Sequence, residues 1–286
     1  MANATPTFRL QMNTITQFLR LPSQSIEKNI FSMLRHDGDS NAFRDLKNKF
    51  CIACTARSGS SFLTVALERY HLDVREYFNS RGVIKDLHQT HGINTLSQFA
   101  SHLVKHHAPN KIFGVKCPYQ AIATYATLGE LPTFAKEWKV IFLTRNNVLR
   151  QAISARIASL TNQWTHVMKS RYNVQETDYD FNHIMLLMDS IVTQNASWER
   201  FFSLSNVAPY RISYESLIRQ SVDELENIAK FLQIDPQKYP ESRTHAPWIQ
   251  TQATATNRIW EERFLSDVSS KMRSHYATLC DEGSID

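Results

Sequence analysis

Lys49-Phe50-Cys51-Ile52-Ala53-Cys54-Thr55-Ala56-Arg57-Ser58-Gly59-Ser60-Ser61 is the stretch from which the fold is read. It opens on a short apolar run of the kind that buried strands have. The run ends at a Ser/Gly turn. Beyond the turn, Ser60 to Tyr70 sets Phe62, Leu63, Ala66 and Leu67 on one face of a helix. In an open α/β sheet, ligands bind beyond the carboxyl ends of the strands. A helix that starts there offers backbone N–H groups without intrahelical acceptors, and a partial positive charge. Gly59 lets the backbone approach a ligand closely. Ser58, Ser60 and Ser61 add hydroxyls, and Arg57 adds a permanent cation that forks onto two oxygens. The turn reads as a cradle for phosphate or sulfate, with an ordinary capped turn as the plainer reading. It departs from the nucleoside-triphosphate loop, which needs Gly-Lys-Ser/Thr. No Lys follows Gly59, and the strand Val140–Thr144 offers no carboxylate to hold a metal.

Outward from this stretch the chain alternates strand and helix. Lys111–Lys116, Val140–Thr144 and Tyr210–Tyr214 read as further strands. Helices are expected over Asn94–His107, from about Asn147, over Phe181–Phe202 and over Ser221–Leu232, with Ser221 and Glu224 as a capping box. Tyr119–Leu128 also reads as helical. The continuously apolar Val140–Leu143 suits a parallel strand covered on both faces. The expected fold is α/β, three layers α/β/α around a central parallel sheet. Residues 46–286 form one domain in this reading. Residues 1–45 form a helical N-terminal extension, from the helical spacing of Phe8 to Leu21 and a second segment from Ser25 to Leu34. It serves as packing, a lid or a dimer arm.

Composition narrows the function. Of 286 residues, 42% are hydrophobic and 21% charged, which is ordinary for a globular chain. The net charge of +5 fits an anionic ligand but lacks the concentrated basic stripe of a nucleic-acid binder. Cys51, Cys54, Cys117 and Cys280 do not form a disulfide framework. Cys51 and Cys54 make a CxxC, yet no second pair completes a zinc site, and both lie in an apolar run, so core packing is the reading. No apolar run reaches the length of a membrane span. Arg9, Gln11, Asn13 and Arg20 interrupt what would be a signal segment. A cytoplasmic, reduced protein is expected.

Arg145 ends the strand Val140–Thr144, and Ser154 lies about two turns inside the helix that follows. Together they read as a second phosphate clamp, against the plainer reading of a solvated Arg and a surface Ser. Here the chain resembles the sulfotransferases that use 3′-phosphoadenosine 5′-phosphosulfate (PAPS), and most of all the bacterial trehalose 2-sulfotransferase branch. Cys54–Leu63 resembles the loop that binds the 5′-phosphosulfate. Arg75-Glu76-Tyr77-Phe78 resembles the branch's acidic-aromatic segment, and Phe113-Gly114-Val115-Lys116 its next strand. Leu143-Thr144-Arg145 with Gln151-Ala152-Ile153-Ser154 resembles the segment that binds the 3′-phosphate. Weaker echoes are Trp164, Ile212–Leu217, Gln252-Ala253 and Trp260–Phe264. The likeness runs over roughly residues 49 to 264.

The resemblance implies a P-loop-like sulfotransferase fold and roles for individual residues. Arg57, Ser58, Gly59, Ser60 and Ser61 would hold the 5′-phosphate and the moving sulfuryl group. Arg145 and Ser154 would hold the 3′-phosphate, with Arg258 as a looser candidate. Glu76 matches the branch's general base, and Lys116 would touch the sulfuryl group or the acceptor. Relatives with other acceptors use Lys in the loop and His as base, so His71, His88 and His91 stay open as alternatives. The implied donor is PAPS, the product is adenosine 3′,5′-bisphosphate (PAP), and no metal is expected. The acceptor is a small molecule with a hydroxyl or amine, such as a sugar, glycolipid or secondary metabolite. A homodimer is left open. A P-loop-type kinase or phosphotransferase and a non-catalytic anion-binding protein are the competing functions.

Overall fold

The computed structural model describes residues 34, 35, 37, 41–77, 81–121, 137–165, 168–238 and 254–282. The helices expected in the N-terminal 45 residues, most of the helix expected at Tyr119–Leu128, Phe78 and Gln252-Ala253 lie outside them. The chain falls into two compact units: Met1–Asn146 with Thr193–Trp248, and Asn147–Val192 with Ile249–Asp286.

The first unit holds a five-stranded sheet, in the order β2-β3-β1-β4-β5. The strands are β1 (Asn48–Cys54), β2 (Val74–Arg75), β3 (Ile112–Pro118), β4 (Trp138–Thr144) and β5 (Tyr210–Ser213). Every pairing is parallel. Alternation along β1 sends Cys51 and Ala53 to one face and Phe50, Ile52 and Cys54 to the other. On the first face, Phe113, Val115, Val140 and Phe142 pack with Leu96, Phe99 and Leu103 of a helix over Leu96–His107, and with Trp198 and Phe202. On the second, Ile141, Leu143 and Ile212 pack with Leu63, Ala66 and Leu67 of α1 (Ser60–Leu67), and with Ile228 and Leu232 around a helix over Ser221–Phe231. This is the expected three-layer α/β/α arrangement. Cys51 and Cys54 are buried in opposite cores, as a packing role requires.

Among the described residues the other α-helices are α2 (Arg81–His91), α3 (Leu96–His107), α4 (Val148–Thr161), α5 (Phe181–Ser205), α6 (Tyr214–Arg219), α7 (Ser221–Phe231) and α8 (Ala255–Glu282). No described helix is long and apolar enough to cross a membrane. The second unit takes α4, α8 and the first part of α5. Its core gathers Ala152, Ile153, Ile184, Ile191, Trp260 and Phe264.

Two local expectations change. The strand at Tyr210 stops at Ser213, whose hydroxyl accepts the Ser216 N–H and starts α6. The expected capping box of Ser221 and Glu224 does not form: Gln220 precedes α7 with no side-chain cap. The Glu224 carboxylate instead accepts hydrogen bonds from Tyr210 (3.0 Å) and Ser216 (2.8 Å).

In the first unit His102 lies among other histidines and near Lys105. Its ring is 4.9 Å from that of His91 and 4.4 Å from that of His106. Burial first, then His106, His91, His107 and Lys105, holds its pKa below the ordinary 6.5. The native state therefore resists a proton that the unfolded chain accepts, and stability falls as pH drops through and below 6.5. We expect the urea midpoint to fall less in His102→Gln than in wild type between about pH 7.5 and about pH 5.5. Equal falls would contradict this.

Candidate active site

Residues 55 to 59 link β1 to α1 at the carboxyl edge of the sheet. The end of β1 is fixed from behind by the Trp198 indole, which donates to the Cys54 carbonyl at 3.3 Å. The turn then needs two residues in the left-handed region, Arg57 (φ 62°) and Gly59 (φ 95°). Gly59 caps α1 through its backbone, its carbonyl accepting the Phe62 and Leu63 N–H groups at 3.0 and 3.1 Å. A side chain there has no room: a Cβ would lie 2.4 Å from Cδ2 of Tyr214. Ser58 is fully buried, and among the described residues its Oγ has no hydrogen-bond partner. A buried hydroxyl without a partner is costly in a native fold, and a bound oxyanion resolves it.

Two guanidinium groups converge here. Arg145, just past β4, donates to the Arg57 carbonyl at 3.4 Å and stacks 4.8 Å above the Tyr214 ring. Burial, then the Arg145 charge, holds the Arg57 pKa below its usual value, with Tyr214 acting the other way. Two cations sharing a partly buried site repel, and an anion bound to both relieves that repulsion. Next to Arg145, Asn146 donates its N–H to the Glu215 carboxylate at 3.0 Å. The buried Ser58 hydroxyl and the like charges together fit a phosphate or sulfate. The missing side chain at Gly59, expected from sequence to admit a ligand, makes room instead for the Tyr214 ring.

The sheet register brings Glu76 to Lys116. Ile52 of β1 stands beside Lys116 of β3, and Arg75 of β2 beside Val115. The next residue, Glu76, meets the Lys116 ammonium at 2.6 Å. Both lie close to the end of β1. Burial pushes the Cys54 thiol up to about 12, Lys116 opposes that shift, Glu76 adds to it, and Ser60 hydrogen bonds to the sulfur. Arg57, Ser58, Gly59, Ser60, Lys116, Glu76 and Arg145 are thus gathered in the first unit.

Ser154 lies half-buried in the second turn of α4. Arg258 is exposed in the first turn of α8, 3.8 Å from Glu262. Trp164 is 40% exposed. These three belong to the second unit. Of the histidines weighed as bases, His88 is turned to the Ile93 carbonyl at 2.9 Å and the His91 ring lies tilted against that of His102. His71 takes a left-handed backbone after α1. Sequence reading missed the part played by Tyr214. Its place in the Ile212–Leu217 segment was the available signal.

A family model described as Stf0 sulphotransferase matches residues 49–267. A search of curated proteins finds no match. Among solved structures, a sulfotransferase from Alicyclobacillus acidocaldarius is 15% identical, over 78% of this chain and 93% of that one, at a TM-score of 0.43. A mouse sulfotransferase, SULT7A1, solved with PAP, is 14% identical, over 81% of this chain and 72% of that one, also at 0.43.

Gly59→Ala tests the turn. Left-handed strain and the clash with Tyr214 together are expected to cost about 2–4 kcal/mol in a denaturant titration. A loss below about 0.5 kcal/mol, the range of ordinary surface changes, would contradict the geometry.

Proposed function

The chain belongs to the Stf0 sulfotransferase family, and on that footing we propose that it moves the sulfuryl group of PAPS to a hydroxyl or amine of a small-molecule acceptor. The observation that carries the reading is the Arg57–Ser61 turn, with its buried Ser58 hydroxyl and the paired Arg57 and Arg145 charges. Ser58, Ser60, Ser61 and the amides around Gly59 hold the 5′-phosphosulfate. Arg145 and Ser154 hold the 3′-phosphate, an assignment that rests on the motif order. Arg258 is the loosest of the donor contacts.

Transfer is an in-line displacement. The bond from sulfur to the 5′-phosphate oxygen breaks as the bond from the acceptor heteroatom to sulfur forms, and PAP leaves. A loose transition state puts most of the catalytic demand on positioning and charge stabilisation. Arg57 stabilises the charge growing on the leaving phosphate oxygen. Glu76 takes the acceptor's proton, a contribution of roughly 10²–10⁴-fold. Lys116 orients Glu76 through their ion pair and reaches the sulfuryl oxygens. A sulfuryl group carries less charge than a terminal phosphate, so the scheme uses no metal. The acceptor is a sugar, glycolipid or secondary metabolite in this reading. Free, buried Cys51, Cys54 and Cys117 support a reducing, cytoplasmic setting.

PAP is expected to raise the thermal midpoint of the wild type and ATP with magnesium to leave it unmoved. Stabilisation by ATP-magnesium alone would favour a kinase. Against a panel of sugars, glycolipids and basic metabolites, Arg57→Ala and Glu76→Gln should each lower PAPS turnover by roughly 10²-fold or more. Full turnover in both would remove the catalytic assignment. PAP binding without transfer to any acceptor would favour an anion-binding protein.

A further inference from the structure

Glu76 stands on very little regular structure. β2 is two residues long, with only Val74 beside Gly114 and Arg75 beside Val115. Two residues of ladder do not fix the side chain that follows them. The structure supplies the missing restraint on the other side. Asp73, just ahead of β2, accepts a hydrogen bond from His107 Nδ1 at 2.7 Å and another from Arg75 Nε at 2.7 Å. Burial raises the Asp73 pKa, but the hydrogen bonds from His107 and Arg75 outweigh it and hold the carboxyl below its ordinary value. Asp73 is therefore a carboxylate, and His107 Nδ1 is the donor to it. The same imidazole packs against Tyr77, ring centres 4.9 Å apart. Tyr77 is 2% exposed and stacks on Phe113 of β3 at 6.0 Å. One side chain at the end of α3 thus grips the segment on both sides of Glu76, at Asp73 by hydrogen bond and at Tyr77 by ring contact.

We propose that His107 is a positioning residue for Glu76: it clips the Asp73–Tyr77 segment to α3 and so sets the Glu76 carboxylate against Lys116 and the end of β1. The proposal rests on Glu76 being the base. His107 itself does not touch the reacting atoms. Nδ1 carries a proton in the imidazolium and in the Nδ1–H neutral tautomer, so the clip works with or without charge. A displacement of about 1 Å at a reacting group costs up to roughly 10²-fold in rate, so the clip should act on turnover and not on donor affinity.

The test compares wild type, His107→Ala, His107→Asn and Glu76→Gln. Asn offers an N–H close to the place of Nδ1 and keeps the bond to Asp73. Amide hydrogen exchange is read with the protein alone, so no acceptor is needed. In His107→Ala, exchange over residues 73–77 should speed up at least about tenfold while α1 and β4 stay as in wild type, and His107→Asn should restore most of the protection. PAP affinity should stay within about twofold, while PAPS turnover, with water or any competent acceptor, falls about 10–100-fold. Unchanged exchange at 73–77 would overturn the proposal. So would a loss of protection spread over α1 and β4 together with lost PAP affinity, because His107 would then only hold the fold. The two readings fail separately. If Glu76→Gln turns over like wild type, Glu76 is not the base, and the exchange data still decide whether the clip exists. If Glu76→Gln is impaired and His107→Ala is not, the base stands and the positioning role falls.

Discussion

Gly59 packs directly on the ring of Tyr214, and the same ring carries the Arg145 guanidinium at 4.8 Å. Those contacts join three separate parts of the chain: the turn after β1, the end of β4 and the start of α6. The absence of a side chain at Gly59 lets the ring come in. The ring holds Arg145, and Arg145 reaches the carbonyl of Arg57. With Arg57 already in a left-handed conformation, the turn is fixed from both sides. On the proposed reading, an anion site built this way is preorganised, so donors and charges need not rearrange when charge develops on a leaving group.

The sheet supplies the second half. Its parallel strands end on one edge, so β1, β3 and β4 deliver Ser58, Lys116 and Arg145 to neighbouring places. Neither Lys116 nor Glu76 lies near the turn in sequence. Their approach is a consequence of strand order and register, and the two buried cores on opposite faces of the sheet hold that register. A slip of one residue would send Lys116 to the opposite face.

What the sequence made legible was short-range. The β1 run, the Ser/Gly turn and the helix after it are patterns of adjacent residues, and so are the apolar β4 and the helix at Phe181. The parts that stayed hidden depend on contacts between distant segments. β2 is too short to show alternation. No element is expected from the sequence where α2 lies. Glu224 gives up its local cap because Tyr210 and Ser216 offer its carboxylate better-placed donors. The Glu76–Lys116 pair and the grip of His107 on Asp73 each join segments that only the fold brings together. The motif order named most of the candidate residues, and the fold gave several of them their partners.

A crystal structure with PAP measures the central claim most directly. The account predicts that the 5′-phosphate lies on the Arg57–Ser61 turn and accepts a hydrogen bond from Ser58 Oγ, a hydroxyl buried without a partner among the described residues. The Arg57 and Arg145 charges should both face the nucleotide's phosphates. A 5′-phosphate bound away from this turn, with the Ser58 hydroxyl still buried and unbonded, would contradict it.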